Sequence, residues 1–230
     1  MPRAAFRTTN LICMARFTRA DAVEQGLRSP LIPVFYHAAE PFARRVLEAC
    51  YEGGVRLFEF TNRGPNAFDI FADLQRFVEA EYPDLLLGAG TIYTVEEAQR
   101  FIDAGADYIV QPVISAEVAQ LCQRLDLAWL PGVFTPNEIY QADQLGAAFA
   151  KLFPASLLGP EYLQSVRGPL LRVRFMATGG IQPTSEAVAS WMRAGATCVG
   201  VDSRLLQTEQ PAALTAQIRE LLAAMQPAPS

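Results

Sequence analysis

One lysine, Lys151, sits in the apolar segment FAKLFPAS (149–156) of a 230-residue chain whose other 18 basic residues are arginine. Arginine stays protonated in proteins and cannot serve as an amine nucleophile. A lysine can, once an apolar site frees part of its amine from the proton, and the chemistry open to it is condensation with a carbonyl to a Schiff base. A bias toward arginine accounts for the 18. It does not account for the position of the exception, inside an apolar strand pattern, where perturbed lysines are more often functional. The plainer reading of the same residue is an exposed strand-end lysine.

Schiff-base chemistry needs a group to move protons, and Glu59 in VRLFEFTNRG (55–64) is the candidate. Strand alternation puts Val55, Leu57 and Glu59 on one side and Arg56, Phe58 and Phe60 on the other. The alternative is a structural ion pair of Glu59 with Arg56 or Arg63. Arg63, just past the strand, has the planar fork that grips a carboxylate with two hydrogen bonds. With His37 as the lone histidine, a histidine-based zinc cluster and H-E-x-x-H chemistry are excluded. His37 follows the run LIPVF (31–35) and reads as a loop residue.

Composition narrows the rest. Net charge is −5 and no basic stripe is present, which argues against nucleic acid. No apolar run approaches membrane-spanning length. Cys13, Cys50, Cys122 and Cys198 are widely spaced with no C-x-x-C, the pattern of reduced, buried thiols in a cytoplasmic protein. A small molecule is the expected partner.

The elements that must hold Lys151 and Glu59 follow from a repeating rhythm. Apolar runs at 31–35, 55–60, 85–90, 107–112, 127–132, 147–155, 173–180 and 197–203 read as strands. Helical spacing fills 40–54, 65–83, 94–106, 115–125, 135–146, 184–196 and 209–225, with a shorter helix near 160–167 and an extra one at 18–26. Thr94 and Glu97 make a capping box. Continuous apolar strands are buried on both faces, which implies a parallel sheet. Eight strand–helix units predict an α/β fold, a (β/α)8 TIM barrel with an extra N-terminal helix. Residues 1–17 read as an N-terminal extension, possible disorder included, 18–225 as the single barrel domain and 226–230 as a tail. Each strand ends in a polar or glycine-rich cluster, and in this barrel those ends share one mouth.

Both chemical segments resemble the class I aldolases that cleave 2-keto-3-deoxy-6-phosphogluconate and 4-hydroxy-2-oxoglutarate. GVRLFEFTNR (54–63) carries Gly54, Glu59, Thr61 and Arg63 of that family's first motif, and GAAFAKLFPASLLG (146–159) carries Gly146, Lys151, Phe153, Pro154 and Gly159 of the second. IPVF, GAGT (88–91), Pro112, PGVFT (131–135) and TGGI (178–181) extend the likeness over about residues 18 to 207. The resemblance implies an iminium between Lys151 and the C2 ketone of a 2-keto acid, with Glu59 moving protons. It implies that Arg63 and Thr91 position the C1 carboxylate, and that Pro112 and Phe153 shape the pyruvyl pocket. Cleavage then gives pyruvate and an aldehyde, with no metal or cofactor needed, in a cytoplasmic homotrimer. It also implies an anion site at Gly179, Gly180 and Ser203. There the sequence departs: GVDSR (200–204) puts Val201 where a glycine is expected and adds the charge of Asp202, which leaves room for a non-phosphorylated 2-keto acid. A non-catalytic metabolite-binding relative is the remaining alternative.

Overall fold

The structure, a computed structural model, describes residues 15–206 and 210–226, apart from the side chains of Ser203 and Arg204. The apolar runs form strands β1 (Leu31–Phe35), β2 (Leu57–Thr61), β3 (Leu86–Gly90), β4 (Tyr108–Val110), β5 (Ala128–Leu130), β6 (Gly132–Val133), β7 (Ala150–Leu152), β8 (Phe175–Thr178) and β9 (Cys198–Val201). The helices are α1 (Arg19–Arg28), α2 (Glu40–Gly53), α3 (Ala67–Glu81), α4 (Val95–Asp103), α5 (Ala116–Arg124), α6 (Pro136–Gln144), α7 (Ala155–Arg167), α8 (Ser185–Ala194), α9 (Ser203–Leu206) and α10 (Pro211–Ala224). All strand pairs are parallel, in the order β5-β4-β3-β2-β1-β9-β8-β7-β6.

β5 and β6 are two halves of one strand, parted at Pro131, which has no N–H to give to a ladder. The first half pairs with β4 and the second with β7. Ala148 N–H also donates to the Trp129 carbonyl and Lys151 N–H to that of Pro131, both at 2.9 Å. The sheet therefore closes on itself, and the eight expected strands make a barrel.

Alternation along each strand sorts the core into two layers. Ile32, Leu57, Leu86, Tyr108, Leu130 and Met176 fill the lower barrel interior. Phe58, Phe60, Leu87, Ile109 and Val199 turn outward beneath the helices. The helices start where side chains satisfy their free N–H groups. Capping boxes form at Thr94/Glu97, as expected, and at Thr18/Asp21 and Thr135/Glu138.

One expectation changes. α7 begins at Ala155 rather than near residue 160, because Gly159 at φ +75° breaks the helical pattern just before Pro160 and hides the first turn from a periodicity reading. The Arg16 guanidinium, just before α1, bonds Asp107 and the Leu85 carbonyl at the barrel's lower end. Residues 1–14 and 227–230 lie outside the described residues. Cys50, Cys122 and Cys198 are buried free thiols, and burial pushes all three up, Cys122 to about 12. Cys13 lies outside the described residues.

Candidate active site

Lys151 and Glu59 arrive at one point from opposite arcs of the barrel. Glu59 is the middle residue of β2, flanked by Phe58 and Phe60, which bury outward and so turn the carboxylate toward the axis. Lys151 is the middle residue of β7, between Ala150 and Leu152, which bury the same way. Lys151 Nζ lies 3.2 Å from Glu59 Oε1 and 3.3 Å from Oε2. The glutamate side chain is fully buried and the lysine side chain 7% exposed, so the pair faces a cavity and not bulk water. Neither alternative partner is used: Arg56 pairs with Asp84, and Arg63 bonds Thr91.

Two glycines of β3 make the room. A Cβ on Gly90 would lie 2.1 Å from Glu59 Oε1, so only glycine leaves space for the carboxylate. A Cβ on Gly88 would lie 2.2 Å from the Tyr108 ring, which fills the space beside that glycine.

A cavity of about 340 Å³ opens above the pair. Val34, Tyr36, Thr61 and Arg63 line one side; Phe153, Thr178, Gly179 and Asp202 line the other. Lys151 Nζ is 5.7 Å from the centre of the Phe153 ring. Arg63 Nε donates to Thr91 Oγ1 at 3.2 Å. Thr91 holds φ +62°, an outlier for a β-branched residue, and strain of this kind concentrates at functional sites. Tyr36 Oη donates to Asn66 at 2.7 Å, which fixes the phenol over Gly64. A larger cavity, about 710 Å³, lies against α7, α8 and the last turn of α10. It is lined by Arg167 and Arg193 but by no lysine or carboxylate, so chemistry and not volume locates the site.

Of the residues expected here, Lys151, Glu59, Arg63, Thr91, Phe153 and Gly179 come together. Pro112 is outside the cavity lining, its backbone against Gly132. Gly180 is exposed at φ +76° beside Ser156, off the cavity wall. Ser203 begins α9, and its side chain lies outside the described residues. Val201 faces the outer core, which turns Gly200 and Asp202 to the axis; Asp202 is the wall residue at that point. Tyr36, Val34 and Thr178 were missed by sequence reasoning. Alternation from Ile32 through Val34 to Tyr36 was the available signal. His37 is a loop residue, as expected, packed on Phe42 at 4.4 Å.

Comparison with known proteins agrees with this geometry. The sequence model of the family described as KDPG and KHG aldolase matches residues 23–219. The chain belongs to this family. It is 38% identical over 144 residues to a 2-dehydro-3-deoxy-phosphogluconate aldolase of Treponema pallidum, covering 62% of this chain and 65% of that protein. It is 30% identical over 157 residues to the KHG/KDPG aldolase of Escherichia coli K12, covering 68% and 72%. It superposes with TM-score 0.76 and 27% identity on a KDPG aldolase of Legionella pneumophila, covering 87% and 97%; that protein was captured with pyruvate as a covalent carbinolamine intermediate. Among the described residues no helix is long and apolar enough to cross a membrane.

Proposed function

We propose that the chain is a class I aldolase that cleaves a 2-keto-3-deoxy sugar acid, or 4-hydroxy-2-oxoglutarate, to pyruvate and an aldehyde through a Schiff base on Lys151. The observation that carries this reading is the buried Lys151–Glu59 contact at the floor of a cavity at the strand ends. Transfer of one proton from Lys151 to Glu59 gives a neutral amine and a neutral acid. The amine adds to the C2 carbonyl, and Glu59 returns its proton to the carbinolamine hydroxyl, which leaves as water. The Glu59 carboxylate then takes the C4 hydroxyl proton. The C3–C4 electron pair moves into the iminium, the aldehyde departs, and the enamine is protonated at C3 and hydrolysed to pyruvate. Arg63, steadied by Thr91, holds the C1 carboxylate; Phe153 supplies the apolar wall beside the methyl carbon.

The phosphogluconate type is the leading substrate; the alternative, a non-phosphorylated 2-keto acid, rests on one specific observation, the Asp202 carboxylate on the cavity wall. A carboxylate on that wall is less favourable to a phosphate than a neutral residue there. Asp202→Gly is expected to raise the preference for phosphorylated over non-phosphorylated substrate; an unchanged ratio removes Asp202 as a selector. The assembly that goes with this reading is a homotrimer in the cytoplasm. Tyr93, Val113, Phe134 and Tyr140 are exposed large side chains that such a contact would cover.

The test is an intact-mass spectrum after incubation with pyruvate and borohydride, followed by peptide mapping. A single pyruvyl adduct on the Lys151 peptide is the expected result. No adduct in folded protein overturns the aldolase reading in favour of a metabolite-binding relative.

A further inference from the structure

Tyr108 is fully buried, and its hydroxyl has no hydrogen-bond partner. The residue faces the barrel axis from β4, at the register level of Gly88 and Glu59: Glu59 is opposite Gly88, and Gly88 opposite Tyr108. Gly88 has no side chain, and the Tyr108 ring fills that space, reaching from β4 across β3 toward β2, where Glu59 stands. The surroundings are otherwise apolar, with Leu57, Leu86, Val110 and Met176 in the same cluster. Burial first, then the charges of Glu59 and Asp107, hold the phenol well above its ordinary range, so it is a donor and never a phenolate at working pH. Asp107 is occupied by Arg16 and the Leu87 amide, and the Cys198 thiol donates to the Gly26 carbonyl at 3.4 Å. Glu59 is the acceptor left to it.

In the resting site both Glu59 oxygens face Lys151 Nζ. Once the lysine nitrogen is bonded to substrate, it is no longer the ammonium that held the carboxylate. We infer that Tyr108 is a positioning residue for the proton chemistry: its unpaired hydroxyl is a reserve donor that Glu59 accepts from when Lys151 is engaged in the Schiff base. The inference rests on the aldolase reading and adds a residue to it. An unsatisfied buried hydroxyl is otherwise a net cost to the fold.

The experiment is Tyr108→Phe, which keeps the ring and removes only the hydroxyl. Wild type and variant are compared by pyruvate–borohydride trapping, by thermal unfolding and by kcat across pH. A donor to the carboxylate favours its charged form. Without it Glu59 loses its reserve donor while Lys151 is engaged, so kcat falls roughly tenfold. The melting temperature rises, because the unsatisfied group is gone. Activity and stability moving in opposite directions would not result from a packing role. An unchanged kcat profile, with trapping intact in both proteins, overturns the inference and leaves the aldolase reading standing. A wild type that forms no adduct overturns both.

Discussion

Among the described residues the barrel holds two carboxylate–cation pairs with a buried carboxylate, one at each end, and they are built differently. At the lower end Asp107 accepts from Arg16 Nε at 3.1 Å, from Arg16 Nη2 at 2.5 Å and from the Leu87 amide at 2.9 Å, while Nη2 also donates to the Leu85 carbonyl. At the mouth Glu59 meets one ammonium at 3.2 and 3.3 Å, and that ammonium has no other acceptor among the described residues. The lower pair is held by these four hydrogen bonds, and the planar fork fixes the geometry. The upper pair is unsaturated and opens onto a cavity, so its members are free to exchange a proton and accept a new partner. Burial alone does not separate a structural pair from a reactive one. The count of satisfied hydrogen bonds does, together with whether the cation can lose its proton.

Exchanging the cations tests this directly. Lys151→Arg gives the mouth the lower pair's cation. Turnover and pyruvate trapping are expected to vanish with the fold retained; residual turnover well above background removes Lys151 as the nucleophile. Glu59→Gln keeps shape and removes the proton carrier, and kcat is expected to fall by about 10²–10⁴-fold, the usual share of a general acid–base group. A loss under tenfold would assign the proton transfers elsewhere. At the lower end the expected loss is in stability. Asp107→Asn leaves a guanidinium facing a neutral amide, at a cost of about 3 kcal/mol, the low end for a broken buried pair because Arg16 keeps 22% of its side chain exposed. Denaturant midpoints measure it, and kcat is expected to stay near the wild-type value. Arg16→Lys is the mildest change, about 1.5 kcal/mol for one lost charged hydrogen bond. If either lower variant cut kcat in proportion to stability, the two ends would be coupled and the contrast between them would fail.

The upper pair was legible in the sequence because its members are anomalies of type: the one lysine, and a carboxylate in an apolar strand. The lower pair was not. Arg16 and Asp107 are 91 residues apart and look like ordinary charges beside an ordinary helix and strand. The eight strands, most helix positions and the barrel followed from the repeating strand–helix rhythm, while α9 was not expected. The first turn of α7 was hidden by Gly159, and the cavity wall at Tyr36 and Thr178 needed the side-chain directions that only register supplies. Tyr108 read as one more apolar strand residue, since a missing hydrogen-bond partner leaves no trace in a sequence.

The solitary ε-amine has a further consequence for durability. An aldehyde released at the mouth is itself an electrophile that condenses with amines. On this protein it meets guanidinium groups, carboxylates and amides, and no second lysine anywhere along the chain. Slow self-glycation by a reaction's own product therefore has almost nowhere to begin except the site where the same bond is made and broken on purpose.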